Sequence, residues 1–141
     1  MEAPRVPSKP LPQVTPWSAP FWEAAKRGEL KVQKCRDCGK PFFYPRIACP
    51  HCFSEDLEWV RVSGRGKIYS FSVVLNYAPS AFAGDVPYVV AIVELEEGLR
   101  MLTNIVTDKP ESLRCEMPVE VIFEPVSEDF VLPKFRPVEE A

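Results

Sequence analysis

The alternation of apolar and polar residues predicts that the chain is mainly β-structure. Residues 86–95 alternate most clearly and place Val89, Ala91, Val93 and Leu95 on one face of an extended segment. The opposite face is also largely apolar, so we expect this strand to be central in its sheet. Further apolar runs cover residues 59–62, 68–74, 99–106, 119–126 and 131–135. Five or six strands within about 75 residues, with little helix, favour a closed β-barrel.

Glycine residues mark the expected turns between these strands. Gly64 and Gly66 separate residues 59–62 from residues 68–74, which indicates a bulge or a sharp bend. The run Glu96-Glu97-Gly98 predicts a hairpin turn into residues 99–106.

One helix is predicted before the strands, from about Ala19 to Lys26. Ser18 is a candidate N-cap, Pro20 suits the first turn, and Gly28 follows as a stop signal.

The apolar face of this helix contains two adjacent aromatic residues. Phe21, Trp22 and Ala25 share one side at helical spacing. Two alternatives follow: this face packs on its own domain, or Phe21 and Trp22 contact a partner subunit.

The segment before the helix is rich in proline, with six prolines among the first twenty residues. Proline at this density favours extended polyproline geometry. The segment is therefore either a disordered tail or an arm that lies across a partner, with Val6, Leu11, Val14 and Trp17 as its apolar contacts.

Four cysteines provide the clearest chemistry in the sequence. Cys35 and Cys38 form one Cys-x-x-Cys pair, and Cys49 and Cys52 form a second pair ten residues later. Two such pairs bring four thiolates to one tetrahedral ion, and a closed four-sulfur site is typical of structural zinc. Iron accepts the same ligands and is the alternative ion, while disulfides are a further alternative. We expect short strands at 30–33 and 42–44, the second of them covering the metal.

Composition restricts the possible functions of the 141-residue chain. Its formal net charge of −3 disfavours binding to nucleic acid, because phosphate contacts supply most of that affinity. We see no signal peptide and no apolar run of the roughly twenty residues that span a bilayer. We therefore expect a soluble cytoplasmic protein, in which cysteines bind metal more often than they form disulfides. We expect the fifth cysteine, Cys115, to be a small buried residue.

The residues give little support for catalysis. His51 is the one histidine of the chain and lies inside the second cysteine pair, where we expect an exposed loop residue rather than a general base. Glu94, Glu96 and Glu97 cluster on a predicted turn, where solvation accounts for them.

Several sequence motifs together resemble the DUF35 family. They are residues 21–30 (FWEAAKRGEL), Cys-x-x-Cys-Gly at 35–39, Pro45-Arg46 before Cys49-Pro50-His51-Cys52, residues 63–71 (SGRGKIYSF) and residues 133–137 (PKFRP). The resemblance implies an N-terminal helix, a rubredoxin-like zinc ribbon and a C-terminal OB-fold barrel. We assign these units to residues 1–28, 29–56 and 57–141. One departure is Glu116, where family sequences often have glycine before the last long strand.

The resemblance also implies a function. Members of this family are similar to non-catalytic partners of thiolase-type enzymes, of hydroxymethylglutaryl-CoA synthase, and of acyl-CoA aldolases and hydratases. We expect a zinc-binding, non-catalytic small subunit of an acyl-CoA enzyme, with a thiolase as the first candidate partner and an aldolase or hydratase as the alternative. An OB-fold that binds single-stranded nucleic acid is a further alternative.

Four residues of the barrel are candidates for contacts to a CoA thioester or a partner. Arg65 and Lys67 flank Gly66 and are candidates to hold CoA phosphates, with two solvated surface charges as the alternative. Tyr77 and Phe82 belong to a long apolar loop that suits an acyl pocket or a subunit contact.

Overall fold

The computed structural model describes residues 10–138, which form one helix, a three-stranded sheet and a five-stranded closed barrel. The prediction of a mainly β fold with one N-terminal helix is therefore confirmed. The beginning of the proposed arm, with Val6, lies outside the described residues. Leu11, Val14 and Trp17 of the arm are exposed. Within the described part of the chain, no helix has the length and apolar character needed to cross a bilayer.

The helix α1 (Ala19–Lys26) has the predicted bounds, with Pro20 in its first turn. At its end the N–H of Gly28 donates to the carbonyl of Ala25 at 3.0 Å, and the N–H of Glu29 donates to that of Ala24 at 2.9 Å. These two bonds form a Schellman motif, which needs the positive φ of +74° at Gly28.

The predicted side-chain cap at Ser18 is wrong. Ser18 precedes the helix, but its side chain makes no capping hydrogen bond to the helix backbone. Its Oγ instead accepts hydrogen bonds from the N–H of Thr15 at 2.9 Å and from the Thr15 hydroxyl at 2.8 Å. The hydroxyl of Ser18 therefore stabilises the turn that leads into the helix. In this turn the N–H and hydroxyl of Thr15 lie within hydrogen-bond distance of the Ser18 oxygen, and they take the place of the helix amides as donors.

The three-stranded sheet has the order β2-β1-β3, and its neighbouring strands are antiparallel. The central strand is β1 (Lys31–Cys35), the short edge strand is β2 (Pro41–Phe42), and the long edge strand is β3 (Leu57–Arg61). The predicted strand at 42–44 is thus shorter and displaced.

The strand β3 joins the ribbon sheet. The sequence analysis assigns residues from 57 onward to the barrel, whereas β3 pairs with β1 over five register positions. The apolar run at 59–62 suits either sheet, and only the long-range pairing distinguishes them.

The barrel contains β4 (Arg65–Val74), β5 (Tyr88–Leu95), β6 (Arg100–Ile105), β7 (Pro118–Pro125) and β8 (Val131–Pro137). Its strand order is β4-β5-β6-β8-β7, and β7 closes the barrel on β4. All pairs are antiparallel except β6 and β8, which meet in parallel at one register position. Short 3-10 helices lie at Ser80–Asp85 and Pro110–Ser112. The predicted closed barrel is confirmed.

The predicted turns appear at the start of β4 and after the end of β5. The hairpin at 96–98 is closed by the N–H of Leu95, which donates to the carbonyl of Leu99 at 2.8 Å. At the start of β4, a Cβ at Gly66 would overlap the backbone of Glu94 on β5. Only glycine allows this close approach of the two strands. A register shift between Ile68 and Ser70 then bends β4.

The hydrophobic core fills the barrel and extends beyond it. Alternate residues of β5, from Val89 to Leu95, are buried, whereas its other face is only half-buried. The same core cluster includes Phe21 of α1 and Leu30 and Val32 of the ribbon segment. The helix and the base of the three-stranded sheet therefore pack on the barrel as one body, which leaves the cysteine end of the sheet outside that core.

Candidate functional site

The first cysteine pair lies where β1 ends and the chain turns toward β2. The N–H of Gly39 donates to the carbonyl of Cys35 at 2.9 Å, and Gly39 has a positive φ of +76°. The N–H of Cys38 donates to Sγ of Cys35 at 3.4 Å. A backbone donor of this kind orients the sulfur and favours its thiolate form.

The second cysteine pair repeats the geometry of the first. The N–H of Phe53 donates to the carbonyl of Cys49 at 2.8 Å, and the N–H of His51 donates to Sγ of Cys49 at 3.3 Å. Phe53 follows the second cysteine as Gly39 does in the first pair, and it too has a positive φ, +66°. The side chain of His51 is exposed, as predicted.

The two turns bring four sulfur atoms together. All four Sγ atoms lie within 4.8 Å of one another. Two of the separations cross between the turns, at 3.5 Å for Cys35 and Cys52 and 3.7 Å for Cys38 and Cys49. Four sulfurs at about 2.3 Å from a tetrahedral zinc ion are about 3.8 Å apart. The cluster therefore fits one tetrahedral metal ion, and all of its cysteines are free thiols.

The cysteine pKa values show why this cluster favours a cation. The N–H of Cys38 lowers the pKa of the Cys35 thiol to about 7. At Cys52 the N–H of Ser54 favours the thiolate, but the sulfur of Cys35 and burial outweigh it and raise the pKa to about 12. Four negative charges at these distances repel one another, and a divalent ion at their centre removes that conflict. The donor set is that of a structural metal site with no open coordination position.

Arg65 and Lys67, the candidate phosphate ligands, lie on the outer surface at the start of β4. Lys67 Nζ is 2.6 Å from a carboxylate oxygen of Glu116, which raises the pKa of the lysine. Arg65 Nε is 3.9 Å from a carboxylate oxygen of Glu96. Both cations thus already have acidic partners on the exposed surface. Their contact with a ligand remains a prediction, and a phosphate would compete with these carboxylates.

Tyr77 and Phe82, the candidate acyl or partner contacts, lie beyond the other end of β4. Tyr77 is 99% exposed in a left-handed backbone conformation, with φ of +60°. Phe82 lies in the 3-10 helix Ser80–Asp85, half-buried, with its ring 6.3 Å from that of Tyr88. A ten-residue strand is about 30 Å long, so these residues and the cations at 65 and 67 do not share one site.

Phe21 and Trp22 both contact other parts of their own chain. Phe21 is buried in the core, and its ring lies 5.3 Å from that of Phe43. Trp22 is half-buried and packs edge-on against Phe130 at 5.5 Å. This packing agrees with the first alternative, in which the aromatic face belongs to the chain's own core. A partner contact remains a prediction, and Trp22 is the better placed of the two for it.

Family models match most of the chain. Residues 22–58 match the model described as ChsH2, rubredoxin-like zinc ribbon domain, and residues 59–124 match ChsH2, C-terminal OB-fold domain. A DUF35 domain-containing scaffold protein of Methanothermobacter thermautotrophicus is 44% identical over 105 residues, which cover 74% of this chain and 78% of the relative. This chain belongs to the DUF35 family. The four-cysteine ribbon and the five-stranded barrel are therefore the zinc-ribbon and OB-fold units of that family.

Other relatives of this DUF35 chain are subunits of enzymes. A probable enoyl-CoA hydratase alpha subunit of Thermomonospora curvata is 38% identical over 129 residues, which cover 92% of this chain but only 40% of the relative. The benzoylsuccinyl-CoA thiolase subunit BbsA of Geobacter metallireducens is 33% identical over 118 residues, which cover 82% of this chain and 77% of the relative.

A solved structure has the same arrangement of ribbon and barrel. A chain of the Ltp2-ChsH2(DUF35) aldolase superposes with a TM-score of 0.80 at 38% identity. The match covers 90% of this chain and 98% of that chain.

The structure shows how this DUF35 chain tolerates Glu116 where glycine is frequent. Glu116 keeps a positive φ of +71°, and its N–H donates to the carbonyl of Ile68 at 2.7 Å. Its carboxylate pairs with Lys67, as described above. The turn geometry is thus retained with a non-glycine residue. The prediction that Cys115 is buried is wrong, because this turn lies outside the barrel and exposes the side chain.

Three polar residues of the ribbon were missed by sequence reasoning. Gln33 is buried and clamps the approach to the second cysteine pair, since it donates to the carbonyl of Arg46 at 2.8 Å and accepts from the Arg46 N–H at 2.6 Å. The Ser54 hydroxyl donates to the carboxylate of Asp37 and links the two turns. A glutamine within an apolar strand was the available signal for Gln33. Nothing in the sequence pairs Asp37 with Ser54.

Proposed function

We propose that this DUF35 chain is a non-catalytic, zinc-binding subunit of a hetero-oligomeric acyl-CoA enzyme. The observation that carries the proposal is the similarity, over 90% of this chain and at 38% identity, to a chain of the Ltp2-ChsH2(DUF35) aldolase. Two further relatives are named as subunits of a probable enoyl-CoA hydratase and of a benzoylsuccinyl-CoA thiolase. A ribbon-and-barrel unit that recurs beside three different reactions suits a supporting role better than a catalytic one.

The chemistry of the described residues agrees with a supporting role. The metal site is closed by four thiolates, so it offers no position for a substrate or an activated water. The one histidine is exposed on a cysteine turn. In this proposal zinc holds the end of the ribbon in shape, and the reacting groups belong to the catalytic subunit.

Within this class we propose a thiolase as the catalytic partner. The thiolase subunit BbsA is matched over 77% of its length, whereas the hydratase alpha subunit is matched over 40%. The thiolase subunit is therefore a chain of similar length to this one. An aldolase is the second candidate, because a chain of the Ltp2-ChsH2(DUF35) aldolase is covered to 98%. That name refers to the DUF35 part of ChsH2, so this coverage carries no weight for a separate small subunit.

Co-expression tests the proposal. The tagged chain is produced with thiolase, aldolase and hydratase subunits from the same genome, one at a time, and complexes are isolated by affinity purification and gel filtration. We expect one stable complex that turns over its acyl-CoA and no turnover by the small chain alone. Turnover by the isolated chain would refute the non-catalytic role. A stable complex with the aldolase or hydratase instead of the thiolase would correct the partner, and the absence of all three complexes would refute the proposed class.

A further inference from the structure

A cavity of about 390 Å³ lies where three parts of the molecule meet. The segment before α1 and the helix itself form one wall, with Gln13 and Trp22. The ribbon contributes Tyr44, and strands β6 and β8 of the barrel form the opposite wall. None of the residues predicted from the barrel sequence as ligand contacts lines this cavity, so it is distinct from the cations at the start of β4 and from the loop that carries Tyr77.

On the side of α1 and the ribbon, the cavity is lined by packed aromatic rings. The ring of Phe21 lies 4.9 Å from that of Trp22 and 5.3 Å from that of Phe43, and the ring of Phe43 lies 4.5 Å from that of Tyr44. Rings at these distances hold one another in place. The aromatic surface is therefore formed before any ligand arrives, which reduces the entropy that binding would cost.

The second wall follows the seam between β6 and β8. These strands pair directly only at Ile105 and Phe135, so the cavity lies along the part of the seam without ladder pairs. The polar groups there are few and fixed: the Thr103 hydroxyl donates to the carbonyl of Pro133 at 3.3 Å, and Asn104 Nδ2 donates to the carbonyl of Val89 at 2.8 Å. The side-chain oxygen of Asn104 keeps its capacity to accept a hydrogen bond.

The size and lining of the cavity define the ligand. A cavity of about 150 Å³ holds a benzene molecule, and small-molecule sites occupy roughly 300–1,000 Å³ with mostly apolar walls and a few polar groups. The volume of about 390 Å³ therefore suits an apolar group of one to two rings or a medium-length carbon chain. Lys134, the one cation of its lining, lies at the β8 side and pairs with Glu124 at 3.1 Å.

We propose that this cavity between α1, the ribbon and the β6–β8 seam binds the acyl group of a CoA thioester. The identity of the ligand as an acyl group rests on the proposed function, whereas the apolar site rests on the geometry of the cavity. The acyl group lies against the aromatic rings, and the CoA moiety remains outside on the surface.

Titration of the zinc-loaded full-length chain with octanoyl-CoA and with free CoA tests the proposal. Trp22 lines the cavity, so a variant with Trp17→Phe and Trp59→Phe reports on the site by Trp22 fluorescence. We expect a saturable change with octanoyl-CoA and binding at least about tenfold weaker with free CoA, because only the acyl group enters the cavity. Equal binding of the two compounds, or no saturable change with octanoyl-CoA, overturns the proposal.

Two matched substitutions, one within β6 and one directly after it, test the location of the site. The affinity of each variant for octanoyl-CoA is measured by calorimetry. Leu102 lines the cavity and Val106 does not, and the two side chains are 53% and 44% exposed, so neither substitution disturbs the buried core. Leu102→Trp fills the cavity and should weaken octanoyl-CoA binding at least about tenfold, whereas Val106→Trp should leave it unchanged. Equal affinities of the two variants overturn the assignment to this cavity.

The outcome is separable from that of the proposed function. Binding of octanoyl-CoA is measured on the chain alone, whereas complex formation is measured with catalytic subunits. A chain that forms an active complex but does not bind octanoyl-CoA refutes the acyl site only. A chain that binds octanoyl-CoA through Leu102 but forms no complex refutes the proposed function only.

Discussion

The two ends of β1 belong to differently stabilised regions of the molecule. Near its start, Val32 is buried in the core that fills the barrel. At its end, Cys35 belongs to a separate small cluster with Phe42 and Cys49, against which Leu57 packs. One short strand thus connects a region held by apolar burial to a region that has almost no apolar core of its own.

This difference shows what the metal contributes to the fold. A few buried side chains cannot offset the conformational entropy of the two cysteine turns, so metal binding must supply the stability of that end. The barrel needs no such contribution, because its core contains buried apolar residues from all five strands. We therefore expect loss of the metal to unfold the ribbon end locally and to leave the barrel folded.

Loss of the metal is the largest expected effect. Cys38→Ser removes one of four ligands, and structural zinc sites of this kind contribute on the order of 10 kcal/mol. We expect the zinc content to fall from one equivalent to none, with loss of hydrogen-exchange protection at the amides of Gly39 and Phe53. The amides of Val93 and Met101 in the barrel should keep their protection.

Cys115→Ser is the matched control for this substitution, since Cys115 is exposed and outside the cluster. It should leave both the zinc content and the exchange pattern unchanged. If Cys38→Ser removed protection from the barrel as well, the two regions would be one cooperative unit and the comparison would be wrong.

The barrel should respond most strongly to the loss of buried volume. Phe135 on β8 is 0% exposed, and Phe135→Ala should lower the free energy of unfolding by about 3–5 kcal/mol because it removes a ring and leaves a cavity. Denaturant unfolding followed by circular dichroism measures the change, and the zinc content should stay at one equivalent if the barrel is affected first.

The same chemical change at Phe53 is the control. Phe53 is 82% exposed at the ribbon end, so Phe53→Ala should change the free energy of unfolding by no more than about 0.5 kcal/mol. Equal losses for the two variants would show that Phe53 packs against the folded chain and is not a surface residue.

The sequence predicts well where the signal is local. The bounds of α1 follow from Pro20 and Gly28, and the hairpin at 96–98 follows from its glycine, because each depends on a few neighbouring residues. The two cysteine turns are also local, since a backbone hydrogen bond closes each of them within five residues. The resemblance to DUF35 proteins then supplied the order of helix, ribbon and barrel.

The pairing of strands that are distant in the sequence could not be predicted from the sequence. The strand Leu57–Arg61 has the same apolar run whether it joins the barrel or pairs with β1, and its register with β1 is visible only in the fold. The cavity was not predicted either, because residues from α1, the ribbon and two strands meet there from distant parts of the chain. Arg65 and Tyr77 illustrate the reverse, since they are close in sequence but lie at opposite ends of β4.

The smallest expected effect comes from backbone strain, which differs between the two cysteine turns. Gly39 and Phe53 occupy equivalent positions and both have a positive φ, +76° and +66°. A non-glycine residue in the left-handed region costs roughly 1 kcal/mol, so Gly39→Ala should destabilise the zinc-loaded protein by about that amount. Phe53→Gly should stabilise it by a comparable amount, because it removes the strain and exposes no core. Denaturant unfolding in the presence of zinc measures both changes. A loss of stability with Phe53→Gly would mean that the phenylalanine ring contributes more to the ribbon end than its backbone strain costs, and the metal would then not be the sole support of that end.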